Sequence, residues 1–202
     1  MPERPVPETH EADPVAGRHL PLARPGRGAS KRRRAEILRI DHAGEYGAVH
    51  IYRAQNAVFE GRAGRSAIAA DMAGMRDQEA VHLARFEALL NAERIRPTIL
   101  IPVWRLAAMA LGTGTALMGE KAAHACTEAV ESVIEEHYAD QILELRERDP
   151  ALAAELSVFR DEELAHHDHA VEHGAREAPA YGLLSAVIKA GCRVAIKISE
   201  RV

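Results

Sequence analysis

Residues 76–82 read Arg-Asp-Gln-Glu-Ala-Val-His, and residues 160–166 read Arg-Asp-Glu-Glu-Leu-Ala-His. Both follow the pattern R-D-x-E-x-x-H, and each is preceded by the pattern E-x6-Y-x2-Q, which starts at Glu45 and again at Glu131. The chain therefore contains one block twice, at a spacing of 84 to 86 residues. Two copies of a helical pair with polar residues in this pattern predict a four-helix bundle whose interior holds those polar residues.

The spacing within each block places a carboxylate and an imidazole on the same side of a helix. Residues three apart lie about 60° apart around a helix axis, so both side chains reach one ion. A Glu from each of the other two helices completes the ligand set of a dinuclear metal site in a bundle. Carboxylate and imidazole ligands without thiolate favour iron or manganese. The predicted metal ligands are Glu45, Glu79, His82, Glu131, Glu163 and His166.

A tyrosine follows the first glutamate of each block by two helical turns. Tyr52 and Tyr138 lie within about 20° of the helix faces that carry these glutamates. Packing in the bundle is one role open to both tyrosines, and it is the role that we expect for Tyr52. A phenol beside an oxidising metal pair also relays an electron or a proton, and we expect that role for Tyr138. The adjacent His137 either supports the metal site from outside the ligand set or is an ordinary surface histidine.

Other polar residues near the motifs have less specific roles. Asp77 and Asp161 either hydrogen-bond to ligands or cap helices. His42 either supports the metal site or lies on the surface. Three further histidines follow Glu163 and do not match His82 in the repeat, so we expect them to face solvent or to lie just outside the ligand set. They are His167, His169 and His173.

The composition narrows the class of protein. The chain has 202 residues, enough for one domain with a sizeable core. Only 4% of the residues are aromatic, which favours helices over strands. The whole chain has a net charge of −4, but the first 34 residues carry +4, so the remainder carries −8, and an acidic body argues against nucleic-acid binding. Two isolated cysteines and a start without an apolar signal segment predict a bacterial cytoplasmic protein.

The chain divides into an arm and one domain. The proline- and arginine-rich residues 1–34 are predicted to be disordered, and residues 35–202 form the domain. The basic run at 31–34 is either solvated or in contact with anionic lipid head groups. The predicted bundle helices cover about 31–60, 64–93, 120–147 and 150–175.

Two apolar segments lie outside these four helices. Residues 99–118 are long enough to span a bilayer, but a spanning segment would put the two blocks on opposite sides of the membrane. We therefore expect it to lie on the bundle or to enter one leaflet. Residues 183–202 alternate apolar side chains with cations, as in a helix at a membrane surface, although a packing helix with one solvated face has the same pattern.

Several stretches, some of which contain predicted ligands, resemble the sequences of a known family. With the motifs, they resemble the demethoxyubiquinone hydroxylases of ubiquinone biosynthesis over about residues 35–202. The matching stretches are IDHAGEYGA at 40–48, DQE at 77–79, ACT at 125–127, AVE at 129–131, FRDEEL at 159–164, APAY at 178–181 and AGCRVA at 190–195.

The resemblance implies an all-α, ferritin-like di-iron monooxygenase that is peripheral to the membrane, on the cytoplasmic face of the bacterial inner membrane. It would hydroxylate the ring of a polyprenyl demethoxybenzoquinone with O2, using two Fe ions per chain and an external two-electron donor such as NADH. By analogy with the family, its partners include a lipid-binding accessory protein and further copies of itself. An iron-storage protein with the same ligands and a non-catalytic lipid-binding scaffold are the alternatives.

Overall fold

The structure, a computed structural model, describes residues 30–201, and this part of the chain contains helices and no strands. A 3-10 turn at Ala175–Glu177 separates the last two α-helices. The α-helices are α1 (Ser30–Phe59), α2 (Ser66–Glu93), α3 (Ile101–Leu117), α4 (Glu120–Leu145), α5 (Pro150–Glu172) and α6 (Tyr181–Ser199).

The duplicated block forms two helical hairpins. α1 packs along α2, and α4 packs along α5, which confirms an all-α fold with the repeat as its organising unit. α3 lies against α1, while α6 lies against α4. The two apolar segments predicted outside the bundle are thus α3 and α6, each placed on the first helix of one hairpin.

The turns between these helices follow from local sequence. Asp149 precedes Pro150, the first residue of α5, and its carboxylate accepts a hydrogen bond from the Leu152 amide at 3.2 Å. This is a side-chain cap with proline at the first helical position. α3 and α4 are joined through Gly119, whose φ of +115° is a conformation that glycine adopts far more readily than other residues.

A second glycine brings α3 close to α1. A Cβ added at Gly112 would lie 2.4 Å from the carbonyl oxygen of Ile51. No real Cβ tolerates that distance, so the helices approach this closely only because residue 112 has no side chain. The position matters for the site, because α1 and α3 form two walls of the cavity described below.

The apolar core forms distinct clusters around the polar interior. One cluster contains Phe86, Leu156 and Tyr138, and another contains Phe59, Met72 and Tyr52. Phe86 is fully buried, and burying one such side chain stabilises the fold by about 1.5–3 kcal/mol. Each cluster includes one of the two tyrosines of the duplicated block.

The boundary of the predicted arm requires a correction. Residues 30–34 belong to α1, and residues 1–29 lie outside the described part, so the predicted disorder concerns only residues that are not described. The basic run at 31–34 is not merely solvated. The Arg33 guanidinium pairs with Glu144 at 2.9 Å, and Arg34 pairs with Glu93 at 2.8 Å and with Asp149. Opposite charges on the other elements therefore hold these residues in the helix.

The outer helices expose apolar side chains. α3 exposes Val103 and Leu106, and α6 exposes Leu183 and Val187, each by more than half of its surface. Among residues 30–201, none of the helices combines the length and the apolar character needed to cross a bilayer.

Candidate metal centre

Six acidic and imidazole side chains from four helices converge in the interior of the bundle. α1 and α4 each contribute one Glu, while α2 and α5 each contribute a Glu and a His. Each of the six is at most 6% exposed, and three of the glutamates are fully buried. The structure thus brings together every ligand predicted from the repeat, namely Glu45, Glu79, His82, Glu131, Glu163 and His166.

The Glu and the His that α2 contributes lie on a helix face whose other buried residues are apolar. On α2, the buried residues recur every three or four positions, as Met72, Met75, Glu79, His82 and Phe86. This is the period of one buried stripe on a helix. The stripe that packs α2 into the core therefore also carries its carboxylate and imidazole to the centre of the bundle.

The ligand atoms form two groups that share two glutamates. Glu79 and Glu163 belong to both groups; Glu45 and His82 complete the first, and Glu131 and His166 the second. Within each group, one possible ligand atom per residue lies within 4.8 Å of all the others.

The imidazoles lie among the shared carboxylates. His82 Nδ1 is 3.2 Å from Glu163 Oε1, and His166 Nδ1 is 3.1 Å from Glu79 Oε1. Each histidine therefore approaches the shared glutamate of the other hairpin. This arrangement has the two-fold character expected from the duplication.

The inward atoms of these residues have no hydrogen-bond partners. Both carboxylate oxygens of Glu79 and Glu163 are buried without one, as are the Nδ1 atoms of both histidines. One oxygen each of Glu45 and Glu131 is also unpartnered. Buried carboxylates without partners cost several kcal/mol each, and two divalent cations would satisfy these atoms and balance four carboxylate charges. The donor set therefore fits iron or manganese.

The electrostatics of the site also favour bound cations. Burial raises the pKa of Glu79 and Glu131, and the neighbouring carboxylates, Glu163 first among them, raise both further. Burial acts to lower the pKa of His82, but the adjacent carboxylates of Glu163, Glu45 and Glu162 raise it to about 11. Without a metal, protons are therefore retained in the site, and a cation would replace them.

The two tyrosines bridge the hairpins in a crossed pattern. The Tyr52 hydroxyl donates a hydrogen bond to Glu131, and the Tyr138 hydroxyl donates one to Glu45. Burial and these carboxylates raise the pKa of both phenols, which keeps them protonated as donors. Packing alone, which we expected for Tyr52, is therefore an incomplete description. The repeat contained the signal, because Tyr52 and Tyr138 occupy the same position in the block.

The outer nitrogens of both histidines are held by residues that sequence reasoning missed. His82 Nε2 lies 2.5 Å from a carboxylate oxygen of Glu162, and His166 Nε2 lies 3.0 Å from the amide oxygen of Gln78. Both partners occupy the variable third position of R-D-x-E-x-x-H, and each supports the histidine of the other hairpin. Such contacts fix the tautomer and orientation of a ligating imidazole.

Asp77 and Asp161, for which we predicted ligand contacts or caps, have neither role. Asp77 is exposed and pairs with Arg76 at 2.7 Å. Asp161 is also exposed, and both lie well inside helices rather than at their ends. A residue two positions before Glu79 or Glu163 points away from the bundle centre, because two helical steps turn it by about 200°.

His137 belongs to a polar group beside the metal centre. Gln141 Nε2 lies 2.7 Å from Asp41 Oδ1 and 2.8 Å from His137 Nε2, and the latter nitrogen is 3.5 Å from the same Asp41 oxygen. Asp41 is buried, and burial raises its pKa although His137 opposes this. His42 is 5% exposed, so it is not a surface residue, and its ring faces Tyr46 rather than this group.

A cavity of about 370 Å³ reaches the metal centre from the side of α3 and α6. Its polar lining comes from Asp41, Glu45, His137, Tyr138 and Ser199. The rest is almost entirely apolar and includes Trp104, Leu111, Val130, Ile134, Ile188 and Ile196. Pockets of this size and character bind largely apolar small molecules with a few oriented polar groups.

Comparisons with known proteins show which family the chain resembles. The family model described as ubiquinone biosynthesis protein COQ7 matches residues 32–199. The chain is 52% identical, over 166 residues, to a Rhodospirillum rubrum protein named 3-demethoxyubiquinol 3-hydroxylase, covering 82% of this chain and 77% of the relative. It is 51% identical, over 169 residues, to the mouse protein named NADPH-dependent 3-demethoxyubiquinone 3-hydroxylase, mitochondrial, covering 82% and 76%. The Saccharomyces cerevisiae protein named 5-demethoxyubiquinone hydroxylase, mitochondrial, is 38% identical over 181 residues, covering 82% and 77%.

Proposed function

The chain belongs to the ubiquinone biosynthesis protein COQ7 family, and we propose that it is a 3-demethoxyubiquinol 3-hydroxylase that uses two iron ions and O2. The reaction would add one oxygen atom to the ring of a polyprenyl demethoxybenzoquinone. The observation that carries this proposal is the set of eight unpartnered inward atoms on six buried side chains beside an apolar cavity. A ferritin-like bundle with this ligand set suits a dinuclear iron centre.

The proposed ligand roles follow from the two groups of atoms. Glu79 and Glu163 would bridge the ions because they belong to both groups, and His82 and His166 would each bind one ion. Glu45 and Glu131 would be terminal ligands, each oriented by a crossed tyrosine. Iron bound there would supply the redox chemistry with O2, which no protein side chain provides.

Residues that line the cavity would hold the substrate, orient it and move a proton or an electron. Its apolar walls would hold the quinone ring and exclude water, and Glu45 would bring the metal centre to the cavity wall. Tyr138 donates to Glu45 and also lines the cavity, which supports its proposed role in moving a proton or an electron. His137 and Asp41 supply the polar groups that would orient ring oxygens.

The substrate tail explains the outer helices. A polyprenyl chain is nearly insoluble in water, and the cavity is lined by α3 and α6, which expose apolar side chains. Of the cations on α6, Lys189 pairs with Glu128 and Arg193 with Glu136, and the exposed Lys197 suits anionic lipid head groups. We propose peripheral binding of this face to a membrane, at the cytoplasmic face of the inner membrane in a bacterium. A lipid-binding accessory protein and further copies of the chain are proposed partners.

Two electrons per turnover must come from outside the protein. The name of the mouse relative specifies NADPH dependence, which supports a nicotinamide nucleotide as the donor. The chain lacks the G-x-G-x-x-G fingerprint of dinucleotide-binding domains. We therefore propose an external donor such as NADH, whose electrons reach the centre through the bound quinone.

A deletion strain tests the function directly. The strain should accumulate the demethoxyquinone, and the wild-type gene should restore the product. Glu163→Ala should fail to restore it, while Glu172→Ala, an exposed glutamate of the same helix, should restore it fully. Iron should be near two per purified chain and fall in Glu163→Ala.

Two results would favour the alternatives. Unchanged quinones in the deletion strain together with iron uptake into a soluble cage would indicate an iron-storage protein. Unchanged quinones and no bound iron would indicate a lipid-binding scaffold.

A further inference from the structure

A second cluster of metal-binding side chains lies away from the six-residue centre. His169 lies on α5 and His173 directly follows the last residue of that helix, and their ring centroids are 4.0 Å apart. Asp71 reaches them from α2, with one carboxylate oxygen 3.5 Å from His169 Nε2. None of the three lines the cavity or belongs to the six proposed iron ligands.

The ligand atoms of this cluster are already close together. One possible ligand atom from each of Asp71, His169 and His173 lies within 4.8 Å of the other two. His173 Nδ1 lies 2.8 Å from the carbonyl oxygen of His169, so it donates its proton there and leaves Nε2 with a free lone pair. Metal-binding histidines commonly have this arrangement, in which the second ring nitrogen donates to a backbone carbonyl.

Two nitrogen atoms at the cluster lack hydrogen-bond partners. His169 Nε2 is buried without one, and so is Nδ1 of His124, a residue of α4 that is only 3% exposed. The His124 ring lies 5.3 Å from the His173 ring and 6.0 Å from the His169 ring. Buried polar atoms are normally paired, so three histidines and one aspartate with two unpartnered nitrogens indicate a missing ligand.

We propose that Asp71, His169 and His173 bind one divalent transition-metal ion of the zinc class, with His124 beside the site as a further nitrogen donor. Two imidazoles and one carboxylate are a familiar zinc ligand set that leaves a position open. Imidazole-rich sites suit zinc, nickel or copper, whereas carboxylate-rich sites suit iron and manganese. The two sites of this chain therefore differ in the metals that they select.

The consequence of binding is structural. Asp71 lies on α2, His169 on α5 and His173 at the C-terminal end of α5, so the ion would link the second helices of the two hairpins. The same two helices carry the shared carboxylates Glu79 and Glu163. A bound ion would hold them at a fixed separation without contacting the substrate.

The test uses the full chain after iron loading. The iron-loaded protein is incubated with a small excess of Zn2+, passed through a desalting column and analysed for both metals. We expect one zinc per chain in addition to the iron, and a higher Tm with zinc than without. The His169→Ala/His173→Ala variant should lose the zinc and the rise in Tm, and keep its iron.

Two further variants make the result specific. His50→Ala removes a half-buried histidine of α1 that stacks on Tyr46, and it should keep the additional zinc. Asp71→Asn keeps the shape of the side chain but removes its charge, and it should weaken zinc binding at least tenfold.

Three outcomes would overturn the proposal. They are zinc that persists in the double histidine variant, zinc that appears only with an equal loss of iron, and no zinc above the level of the double variant. Helix content from circular dichroism identifies a variant that has failed to fold. If the double histidine variant does not fold, His173→Gln, a change at an exposed position, is tested instead and must lose the zinc.

Discussion

Tyr138 donates a hydrogen bond to Glu45, a residue 93 positions earlier in the chain and on the other hairpin. Tyr52 makes the equivalent bond to Glu131. Each proposed terminal ligand is thus held by the opposite half of the repeat. Only Tyr138, however, also lines the cavity.

This difference between the tyrosines predicts different effects of their removal. Tyr138→Phe and Tyr52→Phe each remove one hydrogen bond to a ligand, so each should weaken iron binding by about 10- to 100-fold. At equal iron content, Tyr138→Phe should lower kcat further, because it also removes a phenol from the substrate side. Quinone hydroxylation by protein of measured iron content tests this. Equal kcat values in the two variants would exclude a relay role, and Tyr46→Phe is the control for a half-buried phenol of α1.

The outer hydrogen bonds of the histidines predict a loss of metal affinity from changes that leave all six ligands in place. Glu162→Ala frees His82 Nε2, and we expect iron to dissociate about 10- to 100-fold faster. Gln78→Ala should have the same effect through His166. Transfer of iron to a chelator measures the rate, with Glu172→Ala as the control. A rate equal to that of the wild type in both variants would show that ligand geometry does not depend on these contacts.

The crowded carboxylates bind metal but destabilise the metal-free protein, so we expect the loss of one carboxylate to weaken metal binding and to stabilise the metal-free protein. Glu79 is fully buried among three other carboxylates. At neutral pH, folding of the metal-free protein must either protonate Glu79 or bury its charge, so Glu79→Gln should stabilise the metal-free protein by about 1–4 kcal/mol. It should also abolish binding of the second iron. Urea unfolding with a chelator present measures the first effect, and a loss of stability would contradict it.

A buried ion pair that fastens α6 to α4 predicts acid sensitivity. Burial acts to raise the pKa of Glu128, but the hydrogen bond from Lys189 Nζ at 2.9 Å and the charge of Lys189 outweigh it, so the pKa lies below the ordinary value of 4.5. As the pH falls, the unfolded chain therefore binds a proton at Glu128 before the folded chain does. The stabilisation is complete above 4.5 and is lost through the folded-state pKa.

Glu128→Gln should accordingly destabilise the protein by about 2 kcal/mol at neutral pH, and its stability should fall less steeply in acid than that of the wild type. Urea unfolding across the acid range measures the slope. Glu136→Gln breaks a half-exposed pair with Arg193 on the same two helices and should change little. Parallel slopes in wild type and Glu128→Gln would contradict the assignment.

The close approach of α3 to α1 gives a matched pair of glycine substitutions. Gly112→Ala places a methyl group against the Ile51 carbonyl and should destabilise the protein by about 1–3 kcal/mol. Gly114→Ala meets no atom within 4 Å and should stabilise the helix by about 0.5–1 kcal/mol. Thermal unfolding of both variants tests the difference, and a Gly112→Ala variant as stable as Gly114→Ala would show that α3 is free to move outward.

The sequence was most informative where the repeat supplied two independent copies of a pattern. The convergence of the six proposed ligands was predicted because Glu79 and Glu163 occupy the same register in both blocks. Glu162 was missed because its counterpart is Gln78, and a position that differs between copies carries no visible signal. Glu162 and Gln78 each contact a histidine through a side-chain oxygen atom, so they share a chemical group although their residue types differ.

Tertiary contacts account for the other differences. Arg33 and Arg34 were included in the predicted disordered arm, yet they lie in α1 and pair with Glu144 and Glu93 of other helices. His169 and His173 were expected to face solvent or to lie just outside the ligand set, and their approach to Asp71 depends on how α2 and α5 are placed. No local pattern contains that information.

The crossed bonds also bear on how such a chain arose. Each histidine and each terminal glutamate is oriented by a side chain from the other hairpin, so one hairpin alone holds only half of the supporting contacts. A single-copy ancestor would have needed a second, identical molecule to assemble a working centre. The internal pseudosymmetry resembles that of an isologous homodimer joined into one polypeptide, and the two halves now differ, because the cavity beside Glu45 and Tyr138 is covered by both α3 and α6.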